Sequence, residues 1–124
     1  MRNIILSFLA VIAMTTLTFA HEEQGKDSLD AAATKQVTGE VIDMMCYVDH
    51  NATGDKHAGC AAKCIKNNGP VGIVENGKAY LVVGEHKPMN AELAEYAGKT
   101  ITVKGKVAER GGIAMIENAE IVKK

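Results

Sequence analysis

Apolar and polar residues alternate from Val37 to Met44, with Val37, Gly39, Val41 and Asp43 on one side and Thr38, Glu40, Ile42 and Met44 on the other. A two-residue period of this kind marks a half-buried β-strand, the first of the domain. The polar run Asp49 to Asp55 breaks the alternation, and Asp55 is expected to cap a helix running from Lys56 to about Lys66. Asn67-Asn68-Gly69-Pro70 ends that helix, with Gly69 suited to a left-handed cap and Pro70 unable to continue it. On a wheel of about 100° per residue with His57 at zero, Cys60 falls near 300° and Cys64 near 340°. Ala58, Ala61, Ala62 and Ile65 form the core-facing stripe, while Lys56, Lys63 and Lys66 take the far side.

Two further strands, Val71 to Glu75 and Lys78 to Val83, flank Asn76-Gly77, a strong hairpin-turn signal. A second helix is expected from Ala91 to Ala97 with Asn90 as its cap. Lys99 to Ala108 alternates again, Arg110-Gly111-Gly112 turns the chain, and Ile113 to Val122 supplies the fifth strand. The fold class is therefore mainly β (α+β). Its expected architecture is a small five-stranded barrel resembling the OB-fold, with a Cys/His-bearing helix between strands 1 and 2 and another helix between strands 3 and 4. A simple β-sandwich with the same strand count is the alternative. The first connection is one that OB-folds commonly use for ligands, although fold by itself does not give function.

Upstream of this domain the pattern changes character. Met1-Arg2-Asn3 gives a short positive start, Ile4 to Met14 is apolar except for Ser7, and Thr18 and Ala20 stand where a signal peptidase reads. Residues 1–20 are thus expected to be a cleaved signal peptide, residues 21–36 a charged leader, and 37–124 the domain. The apolar run is short of the roughly 20 residues of a membrane span, so no stable membrane anchor is expected after cleavage. The location implied is periplasmic or secreted. Cleavage would leave a slightly acidic chain, with 13 Lys and Arg against 15 Asp and Glu, whose aromatic residues are Tyr47, Tyr80 and Tyr96. That is a poor set for nucleic acid, which needs a basic groove and stacking platforms.

The remaining chemistry is concentrated in Cys46-(x10)-His57-(x2)-Cys60-(x3)-Cys64. Three cysteines in an oxidising compartment cannot all pair within one chain, so the third sulfur demands a use. Three thiolates and an imidazole make a closed shell for a thiophilic metal, zinc or copper, with Cys46 reaching the helix from the end of the first strand. Three thiolates on Zn²⁺ leave a net charge of −1, which Lys63 or Lys66 is placed to offset. Met44 and Met45 add nearby thioethers. One alternative is a disulfide from Cys46 to Cys60 or Cys64, stapling a periplasmic binding module and leaving one spare thiol. Another is a thiol-redox protein, with His57 beside Cys60 to favour the thiolate. A Cys–His hydrolase lacks a third residue to orient the base and a glycine-rich oxyanion loop, and no catalytic role is assigned. His21, once exposed as a new N-terminus, is a further copper chelator in principle. His50 is a spare ligand, whereas His86, Met89 and Met115 read as ordinary loop, core or rim residues.

The stretch GEVIDMMCYVDH…HAGCAAKCIKNNGPVGIVENGKAYLVV, with the final hairpin, resembles small exported bacterial OB-fold-like proteins of uncharacterised function. The shared pattern falls on Asp43, Cys46, His57, Cys60, Ala61, Cys64, Pro70 and Gly72, over about residues 37–122. The resemblance implies that the cysteine–histidine cluster is the hallmark of the group and carries no activity across. Asp43, three residues before Cys46, is placed either to hold a ligand imidazole from behind or to face water as a strand-end aspartate.

Overall fold

A computed structural model describes residues 34–122. The expected signal peptide and most of the leader lie outside the described residues. β1 (Thr34–Asp43) opens the domain, three residues earlier than the alternation at Val37 marks. It continues through α1 (Met44–His50) and α2 (Asp55–Lys66) to the hairpin of β2 (Val71–Glu75) and β3 (Lys78–Val82). A short helix α3 (Asn90–Leu93) runs on as a tighter 3-10 turn, Ala94–Tyr96, before β4 (Thr100–Arg110) and β5 (Ile113–Ile121).

The strands close into a barrel in the order β1-β2-β3-β5-β4. β1 closes it by pairing on both sides. Its first part, Thr34 to Glu40, runs antiparallel to β4, and its last part, Glu40 to Asp43, antiparallel to β2. A short parallel pairing, Leu81 with Met115 and Val82 with Ile116, joins β3 to β5. This is the OB-like five-stranded barrel that the strand count and helix placement predict, and closure leaves the sheet no free edge along most of its length.

Local sequence explains the turns. Asn76 and Gly77 adopt φ of 50° and 81°, the left-handed pair that a two-residue hairpin with the right twist needs. In the β4–β5 turn, Gly111 and Gly112 do the same at 58° and 82°. The core is built from the inward positions of the strands and one stripe of α2. Val41, Ile65, Ile73, Leu93, Val103 and Ile116 are all fully buried. Ala61 and Ile65 are the buried residues of α2, and the three lysines of that helix are exposed, as the wheel predicts.

Three local expectations are corrected. The chain does not stay extended through Cys46: from Met44 it turns into α1, none of whose residues is buried. Helix α2 starts from Gly54 rather than from an Asp55 cap, and Asp55 is its first helical residue. At the other end Asn68, with φ 65°, takes the left-handed conformation expected of Gly69. Gly69 is required for room: a Cβ there would stand 2.8 Å from both Asp43 Oδ2 and the Cys64 carbonyl oxygen.

Candidate metal site

The site occupies one end of the barrel, where β1 finishes and β2 begins. Asp43 pairs with Val71 as the last rung of β1–β2, and the Met44 N–H donates to the Pro70 carbonyl at 2.9 Å. From that fixed point the chain enters α1. Asp43 Oδ1 accepts the Cys46 N–H at 2.9 Å, which is the N-cap bond that satisfies an otherwise unpaired amide of the first helical turn. The D-x-x-C spacing is therefore a helix start, with Asp43 as cap and Cys46 as the third helical residue. Asn51, at φ 55°, closes α1 by donating its N–H to the Cys46 and Tyr47 carbonyls.

Helix α2 lies across the same end and contributes two more thiols, one turn apart at Cys60 and Cys64. Its C-terminus is tied down from two directions. The Asn67 and Gly69 N–H groups donate to the Cys64 carbonyl, and Asn90 Nδ2 donates to the carbonyls of Ile65, at 2.9 Å, and Gly69, at 2.6 Å. Asn90 is thus the first residue of α3 and a brace between helices, not the cap expected from sequence. The N-cap position of α3 falls to Met89, which makes no side-chain cap bond.

These constraints bring the sulfurs of Cys46, Cys60 and Cys64 within 4.8 Å of one another. Tetrahedral zinc with bonds of about 2.3 Å holds its sulfurs about 3.8 Å apart, so closing this trio on an ion needs shifts of about 1 Å or less. Cys60 is exposed, Cys46 and Cys64 are half-buried, and all three are free thiols. The disulfide from Cys46 to Cys60 or Cys64 is not formed. His57 lies outside the tight group, and its ring packs against that of His50 with centroids 5.9 Å apart. His50 in turn meets Asp49 through Nδ1 at 3.1 Å. Lys66 is directed away, pairing with Glu95 at 2.9 Å.

Asp43 dominates the electrostatics. Its side chain is almost wholly buried, at 1% exposure, yet Oδ2 meets no donor in hydrogen-bond geometry. The carboxylate, acting first as an acceptor for the thiol and aided by burial and its own negative charge, pushes Cys46 up to about 12. Burial, followed by the charge of Asp43, raises Cys64 as well. Both thiols thus hold their protons at neutral pH until something positive replaces them. Sequence reasoning found the three cysteines from their spacing and offered Asp43 as a supporting group, but missed its burial and its role as the cap of α1.

Helix α1 leaves Met45 and Val48 exposed, and Ile113, the first residue of β5, is exposed too. Val48 and Ile113, together with Met44, Tyr47 and Ala79, line a shallow groove. Among the described residues, no helix is long and apolar enough to cross a membrane. No family model, no curated protein and no solved structure matches the chain.

Proposed function

We propose that this chain is an exported metal-binding protein that holds a thiophilic ion, zinc or copper, on the thiolates of Cys46, Cys60 and Cys64. The observation that carries this is the convergence of three sulfurs from two helices to within 4.8 Å. Three soft donors at that spacing fit a zinc or copper(I) shell after a small contraction, and they fit hard cations such as magnesium or calcium poorly. The positions are not incidental, because the N-cap bond fixes Cys46 and the Asn90 brace fixes the turn that bears Cys64. The N-terminal segment supports a location outside the cytoplasm, where a metal ligand set of thiols needs protection from oxidation and a bound ion gives it.

The thiol-redox alternative fits less well. Cys60 beside His57 would need Cys46 or Cys64 as its reactive partner, and a redox thiol needs a depressed pKa, whereas both of these are pushed the opposite way. A metal overcomes that by displacing the proton directly.

Native mass spectrometry of the mature chain, loaded with Zn²⁺ or with Cu⁺ under reducing conditions, tests the proposal. One ion per chain is expected for the wild type, and Cys64→Ser is expected to lose stoichiometric binding. Unchanged loading of that variant would remove Cys64 from the site and overturn the proposal.

A further inference from the structure

The capping bond uses Oδ1 of Asp43, and apart from the Cys46 thiol that the carboxylate faces, no donor meets Oδ2 in hydrogen-bond geometry. An asparagine or serine would cap α1 about as well as an aspartate does. Here a full carboxylate is buried to 1% exposure, with Oδ2 in no hydrogen-bond geometry, close enough to the Cys46 and Cys64 thiols to act on both. A buried charged oxygen without a partner costs stability, and each such group in a native protein calls for an explanation, a bound ion among them. Space around it is preserved too, since any side chain at position 69 would press on Oδ2. The imidazole of His57, expected from sequence in the fourth position, lies outside the tight sulfur group, with its ring 5.9 Å from that of His50.

We infer that Asp43 Oδ2 is the fourth donor of the metal site, making it a shell of three sulfurs and one carboxylate oxygen that takes a divalent ion of zinc's class in preference to copper(I). The inference rests on the reading that the three cysteines hold a metal. Asp43 stands outside the tight trio rather than within it, so coordination brings its oxygen forward as the sulfurs close. Two considerations set the preference. A carboxylate oxygen is a hard donor, acceptable to zinc and poorly matched to copper(I), which is satisfied by sulfur alone. Charge works in the same direction. Three thiolates and a carboxylate carry −4, which a divalent ion reduces to −2 and a monovalent ion only to −3. In a partly desolvated site the larger residual charge is the costlier one.

The discriminating experiment compares wild type with Asp43→Asn in the full mature chain. Asparagine keeps an oxygen for the Cys46 N–H and so keeps the cap, while removing the anionic donor. Competition against chelators of known affinity, run separately with Zn²⁺ and Cu⁺, is expected to show Zn²⁺ binding weakened by about tenfold or more in Asp43→Asn. Cu⁺ binding is expected to change little. X-ray absorption on the zinc-loaded wild type gives an independent readout that does not depend on how the variant folds. Three sulfurs near about 2.3 Å and one light atom near about 2.0–2.2 Å are expected, without the outer-shell scattering of an imidazole. Imidazole scattering, or equal Zn²⁺ affinities for the two proteins, would overturn the assignment of Asp43 and leave the cysteine site standing. Failure of the wild type to bind either metal, or full binding by Cys64→Ser, would instead remove the cysteine site and the carboxylate assignment with it.

Discussion

Asp43 shows how one residue can be read correctly for its chemistry and still be misplaced. Its position three residues before Cys46 is visible in the sequence, and so is its capacity to support a ligand. Its burial is not visible, because an aspartate closing an alternating run is usually a solvated strand end. What buries it is the approach of Gly69 and the turn after α2, a contact made by residues 26 positions away. The physical consequence is testable through the thiols. The ordinary thiol value of 9.0 applies to Cys46 in the unfolded chain, and the fold pushes it up to about 12. Between those values the folded protein holds more protons, so stability is constant below about pH 9 as far as this group is concerned and falls as pH rises above it. Urea midpoints of reduced protein with a chelator present, taken from about pH 7.5 to 10.5, are expected to decline at the alkaline end. Asp43→Asn removes the largest cause of the raised value and is expected to flatten the decline relative to wild type. Parallel curves for the two proteins would show that the carboxylate does not act on the thiol.

At the level of elements, the barrel was legible and the first helix was not. Strands announce themselves when one face is buried, and β1, β4 and β5 carry Val41, Val103 and Ile116 inward at two-residue spacing. Helix α2 is equally clear because Ala61 and Ile65 lie on one stripe and its lysines on the other. Helix α1 buries no residue, so no helical period reaches the sequence, and Cys46 reads as the end of the first strand. The capping aspartate was the available signal. The Asn90 brace was hidden for a different reason: its partners are backbone carbonyls 21 and 25 residues away, which no local pattern encodes. Because it serves two carbonyls at the end of α2, Asn90→Ala is expected to lower stability by about 1–3 kcal/mol in chemical denaturation. Asn90→Asp is expected to be at least as damaging, since it sets a carboxylate against two carbonyl oxygens. A neutral result for both variants would mean that the Asn67 and Gly69 amides hold the end of α2 by themselves.

For the molecule as a whole, the decisive feature is that the cysteine cluster and the hydrophobic core are separate. The sulfurs sit at the rim on α1 and α2, whereas the core of Val41, Ile42, Ile65, Ile73, Leu93 and Ile116 is closed by the strands and by one face of α2. A zinc finger has no comparable core and unfolds without its ion, because binding energy and folding energy are then the same quantity. This barrel should behave otherwise. Its described portion has the length of a small but self-sufficient domain, and the closed strand order supplies long-range pairing without any ligand. Removing metal with a strong chelator is therefore expected to leave the far-ultraviolet circular dichroism and the dispersion of strand amide resonances intact, with a cooperative thermal transition still present. Adding metal back at a hundred times its dissociation constant stabilises the folded state by about 2.7 kcal/mol through mass action. For a domain of this size that corresponds to a rise in Tm of about 10–20 °C. A chelated protein with no cooperative transition would mean that the two helices at the rim, drawn together by the ion, are part of what folds the barrel. Retention of the transition would mean that the site can fill and empty on a scaffold that does not change, which is the property a protein needs if the ion is cargo rather than a staple.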